Sequence, residues 1–301
     1  MSLKITRAAD PITVDRLNMV IYGPPGIAKT SLAFTTEAPL LLDCDMGSHR
    51  AANRKDVVRV ESWSDIAGIT IEDLVPFKTV IVDTAGRALD ALTADIIRIN
   101  PKHGRGGALT LQGYGELKSR FTSFLKMLNS FGKDVVLIAH MDEQRNGDEV
   151  IERLDVQGGS KGEIYKAADA MGRLVIDNGQ RWLRFSPTDA AFGKNPGQLE
   201  PLAVPHFESP EFDGFLGRVI QQTKDKLNAL TEAQKETSAE IEWFRDALTK
   251  VTTPDQLNGM LGRAAKAPKA AKLLVRDKAS AMALVFDDKT KLYAAAQSEA
   301  A

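Results

Sequence analysis

Eight consecutive residues, Gly23-Pro24-Pro25-Gly26-Ile27-Ala28-Lys29-Thr30, have the types and spacing to hold a polyphosphate. A glycine-rich turn between a strand and a helix leaves several backbone N–H groups facing one concavity, backed by the positive helix end. Lys29 adds a point charge for the β- and γ-phosphates, and the Thr30 hydroxyl is suited to complete the shell of a Mg²⁺ ion. Ser31 is a poorer candidate for that ligand. The pattern G-x-x-x-x-G-K-[ST] is matched at every fixed position except one, where Ala28 stands in place of the second glycine. Alanine keeps the loop narrow but resists a left-handed backbone. Either the local geometry tolerates it or binding is weakened, and the flanking context favours tolerance: an apolar run from Leu17 to Tyr22 before, a helical pattern from Ser31 after, and two prolines fixing the turn.

Stepping outward, the loop needs a sheet to hold it. Pro39-Leu40-Leu41-Leu42-Asp43-Cys44-Asp45 and Phe77-Lys78-Thr79-Val80-Ile81-Val82-Asp83-Thr84 are short, nearly continuous apolar runs that end in acid, as buried parallel strands do. A third short strand is predicted at Val57 to Val60, and a further buried one at Asp134 to His140. Helices are predicted around Leu89 to Ile97 and over Glu116 to Ser130, and closing strands at Ala168 to Ile176 and Arg181 to Phe185 around the turn Asp177-Asn178-Gly179-Gln180. Strands alternating with helices predict an α/β fold with a mainly parallel sheet, its last strands open to an antiparallel course. Ligands gather at the carboxyl ends of such strands, where Asp45, Asp83 and His140 fall.

Asp83 has the position of the carboxylate that holds Mg²⁺ in P-loop enzymes; its plainer reading is a strand-end acid satisfied by a helix start. Asp45 is placed to orient or deprotonate the attacking water, or merely to cap the turn at Gly47-Ser48. His140 is placed to sense the γ-phosphate by a hydrogen bond, or is structural. Two long polar stretches, 100 to 115 with Lys102, His103, Arg105 and Tyr114, and 141 to 161, are read as functional loops. The motif Arg145-Asn146-Gly147-Asp148 in the second would turn a hairpin.

Composition narrows the classes. At 43% hydrophobic and 26% charged residues over 301 positions, the chain has the makeup of a soluble globular protein. No apolar run approaches the ~20 residues of a membrane span, and Met1 to Thr13 lacks the apolar centre of a secretory signal, so no membrane partner and a cytoplasmic place are expected. The lone Cys44 excludes an internal disulfide and a cysteine-based zinc cluster. His49, His103 and His206 form no metal-ligand spacing. A net charge of −1 gives no global pull toward nucleic acid, so such binding must come from local patches. After about residue 225 the pattern changes to three helical segments, near 238 to 250, 254 to 264 and 268 to 297, without strand signal. The expected domains are therefore 1–225, an ATP-binding core, and 226–301, a helical domain. Arg263, Lys266, Lys269, Lys272, Arg276 and Lys278 make its last part basic, a face that would grip a phosphate backbone or simply be solvated.

Gly23 to Thr30, Leu41 to Asp45, Val80 to Thr84 and Leu137 to His140, taken together, resemble the ATPase core of RecA-type recombinases. Within them the chain is similar to the small phage-encoded RecA-like single-strand annealing or recombination ATPases, over roughly residues 15 to 225. The resemblance implies ATP and Mg²⁺ as cofactors, Lys29 and Thr30 on phosphates and metal, and Asp83 on the metal. It sets Asp45 where the recombinases place a catalytic glutamate and His140 in place of their polar γ-phosphate sensor. The two polar stretches fall where their DNA-binding loops lie. Single-stranded DNA, a second copy of the chain, and a single-strand-binding or other replication protein are the implied partners, in a host-cell cytoplasm. Lys194-Asn195 lies near a Lys-Asn pair that acts between subunits in that family, although Pro196 and Gly197 replace its second lysine. Aspartate for glutamate at Asp45, with Ala28, implies slow hydrolysis. The string Gly-Pro-Pro-Gly-Ile-Ala-Lys also resembles AAA+ motor ATPases, but Thr84, where those proteins usually carry a glutamate, favours the RecA-like placement. A protein-remodelling ATPase and a nucleotide-binding switch with little turnover remain the alternatives.

Overall fold

The computed structural model describes residues 13–146, 149–156 and 161–295. Val14–Leu227 forms one compact unit, and a second begins at Asn228.

In the first unit β1 (Asn18–Gly23), α1 (Lys29–Ala33), β2 (Pro39–Asp43), β3 (Asp56–Arg59), the short α2 (Ser64–Ala67), β4 (Thr79–Asp83) and α3 (Ala85–Ile99) follow in order. A small hairpin, β5 (Gly104–Arg105) with β6 (Ala108–Leu109), leads into α4 (Leu111–Ser130), β7 (Asp134–Asn146) and β8 (Glu149–Leu154). Then come α5 (Lys161–Ala167), β9 (Ala170–Asp177), β10 (Gln180–Arg184), β11 (Leu202–Ala203) and the start of α6 (Phe215–Thr249). The sheet order is β11-β10-β9-β1-β7-β4-β2-β3, with β8 paired to β7. From β9 to β3 every neighbour runs parallel. β10 and β11 are antiparallel. This is an α/β architecture with a mainly parallel sheet, both faces of the parallel part covered.

The apolar runs explain the coverage. Because successive side chains point to opposite faces, Val20, Leu42, Val80, Val82, Val135 and Leu137 pack with Leu92, Leu117 and Phe121 on one side. Met19, Ile21, Leu41, Ile81, Val136 and Ile138 pack with Leu32, Leu216 and Val219 on the other. All of these are essentially inaccessible to solvent, and burial of each large apolar side chain contributes about 1.5–3 kcal/mol.

Two sequence-based expectations change in this unit's helix and loop assignments. The helix predicted from Glu116 begins at Leu111, because Thr110 caps it by accepting from the Gly113 N–H, and a good N-cap outweighs the low helix propensity of nearby glycines. A Cβ at Gly113 would lie 2.6 Å from the His103 carbonyl oxygen, so only glycine lets the preceding segment fold against this helix. The stretch 141–161, read as a loop, is largely a ribbon: β7 runs on past His140 and pairs with β8 from Met141↔Leu154 to Asn146↔Glu149. The expected turn residues Gly147 and Asp148 lie outside the described residues. At the other closing turn Asn178 and Gly179 both take positive φ, 52° and 77°, the conformation that matches the twist of a two-residue hairpin.

The second unit contains the end of α6, α7 (Pro254–Asn258), α8 (Leu261–Lys266) and α9 (Lys269–Ala281) around Phe244, Leu257, Ala271 and Val275. The third helix expected to reach residue 297 stops at Ala281. A hairpin follows, β12 (Leu284–Asp287) with β13 (Leu292–Ala295), because the Asp287 carboxylate accepts from the Lys289 N–H and the Thr290 hydroxyl and so closes a turn. Arg263 is withdrawn from the basic face: it forms two hydrogen bonds to Glu240, at 2.8 and 2.7 Å, over the ring of Trp243. No helix among the described residues is long and apolar enough to cross a membrane.

Candidate functional site

The phosphate-type loop joins β1 to α1, and Asp83 ends β4, with β7 lying between the two strands. Register brings Gly23 level with His140, and Asp43 level with Asp83, at the carboxyl ends of the interior strands β1, β2 and β4. The loop fits there only with glycine at position 23, where a Cβ would stand 2.5 Å from the Leu174 carbonyl oxygen on β9. Ala28 adopts φ 72°, ψ 33°. The geometry thus imposes the left-handed conformation that alanine resists, at a cost of roughly 1–2 kcal/mol. Pro24 is partly exposed, Pro25 and Gly26 are exposed, and Ile27 is anchored in the core beside α1. Ser31 is buried and accepts from the Ala52 N–H.

Lys29 is folded back into the loop. Its Nζ donates to the carbonyls of Gly23 at 2.9 Å and Pro24 at 2.8 Å, and stands 3.4 Å from His140 Nδ1. Burial draws its pKa down to about 8, against the opposing pull of Asp83 and Asp45. The Thr30 hydroxyl donates to Asp83 Oδ2 at 2.7 Å. Burial pushes the Asp83 carboxyl up to about 6, with the Thr30 hydrogen bond opposing.

A hydroxyl oxygen and a carboxylate oxygen set side by side are hard donors of the kind Mg²⁺ takes. Among the described residues there is no group of three or more His, Cys, Asp or Glu that could cage a metal. Mg²⁺ binds one or two carboxylates and completes its shell with water and substrate phosphates, and Thr30 and Asp83 could supply the protein's part of such a shell.

Asp45 is only partly buried and stands between two guanidinium groups, 3.6 Å from Arg50 and 3.7 Å from Arg87. Sequence reasoning missed both arginines. It also missed the part played by Asp43, whose carboxylate accepts from the N–H groups of Gly47 and Ser48, each at 3.0 Å, and so shapes the turn that carries Asp45. A signal was present for Asp43, an acid at a strand end four and five residues before those donors. None was present for the arginines. His140 does not end its strand; it is the last β7 residue in register with β1. Burial and the neighbouring Lys29 push its pKa down, which keeps the ring neutral at pH 7.

These groups surround a cavity of about 210 Å³ lined by Ala28, Lys29, Thr30, Asp45, Asp83 and His140. A second cavity of about 210 Å³, lined by Thr84, Arg87 and Asp155, shares Asp45 and His140 with it. The structure therefore brings Lys29, Thr30, Asp45, Asp83 and His140 together around one cavity. Lys194 is engaged elsewhere: its Nζ donates to the carbonyls of Tyr165 and Ala168, both at 2.6 Å, at the end of α5. Asn195 ties its own turn through the N–H and carbonyl of Leu199.

Residues 15–196 match the family described as an AAA domain. No curated protein matches the chain. Among solved structures, a KaiC-like protein from the hyperthermophilic archaeon Pyrococcus horikoshii is similar at 12% identity and a TM-score of 0.32, over 56% of this chain and 76% of that one.

Proposed function

The chain belongs to this AAA domain family, and from that premise we propose that it is a RecA-like ATPase that binds single-stranded DNA as a homo-oligomer and promotes annealing or recombination. Hydrolysis would run by attack of water on the γ-phosphorus, with the bond to the β-phosphate bridging oxygen breaking and the water proton passing to Asp45. Thr30 and Asp83 would hold Mg²⁺, which when bound neutralises charge on the phosphate oxygens. Lys29 supplies a second positive charge in the same cavity. His140, neutral, is placed to hydrogen-bond a γ-phosphate oxygen. Asp45 lies between Arg50 and Arg87, two cations placed within reach of the phosphate cavity that it lines.

The observation that carries the DNA reading is the tip between α3 and α4. Leu111 is 91% exposed, Ile99 59% and Tyr114 37%. Lys102 and Arg105 are exposed beside them and have no ion-pair partner among the described residues. Apolar and aromatic groups held in water among cations suit a strand whose bases stack and whose backbone is anionic. The α3 helix links this tip to the site, since Thr84, which caps its first turn, directly follows Asp83.

Fluorescence anisotropy of a labelled oligonucleotide, with Mg-ATP, tests the reading. Binding should weaken steeply with salt, and Tyr114→Ala and Leu111→Ala should each weaken it about 5- to 100-fold, the range expected for one stacked base. Binding unaffected by both changes, or no binding, would leave a protein-remodelling ATPase as the better reading.

A further inference from the structure

A third cavity, about 210 Å³, adjoins the phosphate cavity and shares Ala28, Ser31 and Arg50 with it. Leu174, Val204 and Phe207, the last 50% exposed, give it apolar surface beside the polar Ser31 and the charged Arg50. Arg181 on β10 also lines it, and the Arg181 Nε is buried with no hydrogen-bond partner. A buried N–H without an acceptor is costly and calls for one. No carboxylate or carboxamide side chain lines the cavity.

Resting on the nucleotide reading above, we propose that this cavity takes a purine base of the bound nucleoside triphosphate, stacked on Phe207, with Arg181 donating to a ring acceptor. Four features converge on that chemistry. The cavity adjoins the phosphate loop through Ala28 and Ser31, as a base pocket must when the base is tethered to the phosphates by one sugar. Its apolar wall, with Leu174 and Val204, suits a flat ring. One aromatic side chain is available for stacking, which base rings favour. The one side-chain donor with a buried, unsatisfied N–H matches N7, the acceptor that adenine and guanine share and pyrimidines lack. No carboxylate or carboxamide lines the cavity to read the 6-amino group, and the Ser31 hydroxyl already accepts from the Ala52 N–H, so the pocket selects purines over pyrimidines more strongly than adenine over guanine.

Calorimetric titrations of the full chain with Mg-ATP, Mg-CTP and Mg-tripolyphosphate test this, using wild type, Phe207→Ala, Phe207→Trp and Arg181→Met. Expected is ATP binding at least about tenfold tighter than tripolyphosphate, by the energy of one stacked ring, and tighter than CTP, whose ring lacks the N7 acceptor. Phe207→Ala and Arg181→Met should remove most of that advantage while leaving tripolyphosphate binding unchanged, which also shows that the variants fold. Phe207→Trp should keep the advantage. If tripolyphosphate binds as tightly as ATP, or both truncations leave ATP binding intact, the base pocket is wrong and the phosphate site stands. If neither ATP nor tripolyphosphate binds, the nucleotide reading falls and this inference falls with it.

Discussion

At Ala28 the phosphate loop asks an L-residue to hold φ 72°, and the methyl group offers no local hydrogen bond to compensate. Ala28→Gly should therefore stabilise the folded chain by about 0.5–1 kcal/mol, the relief of strain being partly offset by the greater freedom of glycine in the unfolded chain. A thermal melt checks this; a lower midpoint would mean that the loop is not strained. Cys44 gives a second residue-scale prediction. Burial, reinforced by the carboxylates of Asp83, Asp43 and Asp45, pushes its thiol up to about 12. A raised pKa leaves less thiolate at a given pH, only about one part in ten thousand at pH 8, so alkylation by iodoacetamide should be far slower than for a free thiol until the protein is denatured. Rapid labelling of the native chain would contradict that environment. At this scale the sequence was legible where chemistry is local: the spacing of Lys29 and Thr30, and an acid closing an apolar strand at Asp83. Arg50 and Arg87 were illegible because their pairing with Asp45 depends on where one turn and the first helical turn after β4 meet in space.

Among the elements, the buried parallel strands were plain because burial on both faces demands unbroken apolar runs. The β7–β8 ribbon was not. Asp142, Glu143 and Gln144 are exposed or nearly so along it, so the residues carry no inward-facing apolar alternation and read as a loop. The C-terminal hairpin was hidden for a related reason: its apolar residues Val285, Phe286 and Leu292 are substantially exposed and do not mark a face. The element most open to test is α6, whose first half covers the sheet. Lys224 on it donates to Asp134 Oδ2 at 2.7 Å, and Asp134 Oδ1 accepts from the Leu17 N–H at 2.8 Å at the entry to β1. Asp134→Asn leaves the nearly buried Lys224 without its counter-charge and should cost about 3 kcal/mol in urea denaturation. A loss under about 0.5 kcal/mol would show that water, not Asp134, satisfies the lysine.

For the whole molecule, the residues of the candidate nucleotide site all belong to the unit Val14–Leu227, and the second unit has its own core around Phe244 and Leu257. Scanning calorimetry should resolve two transitions, with Mg-ATP raising only the larger one, since a ligand stabilises the unit it binds. A single transition raised as a whole would contradict independent units. The second unit also carries Lys266, Lys269, Lys272 and Arg276, exposed and without ion-pair partners among the described residues. If these also meet the phosphate backbone, the salt dependence of DNA binding should exceed what Lys102 and Arg105 alone provide. The central claim, that a P-loop ATPase site is coupled to single-stranded DNA, is tested most directly by ATP hydrolysis with and without a single-stranded oligonucleotide, for wild type and Lys29→Ala. The account predicts slow basal turnover, stimulation by DNA that fades as salt rises, and neither activity in the variant. Turnover that ignores DNA, or that survives loss of Lys29, would contradict it.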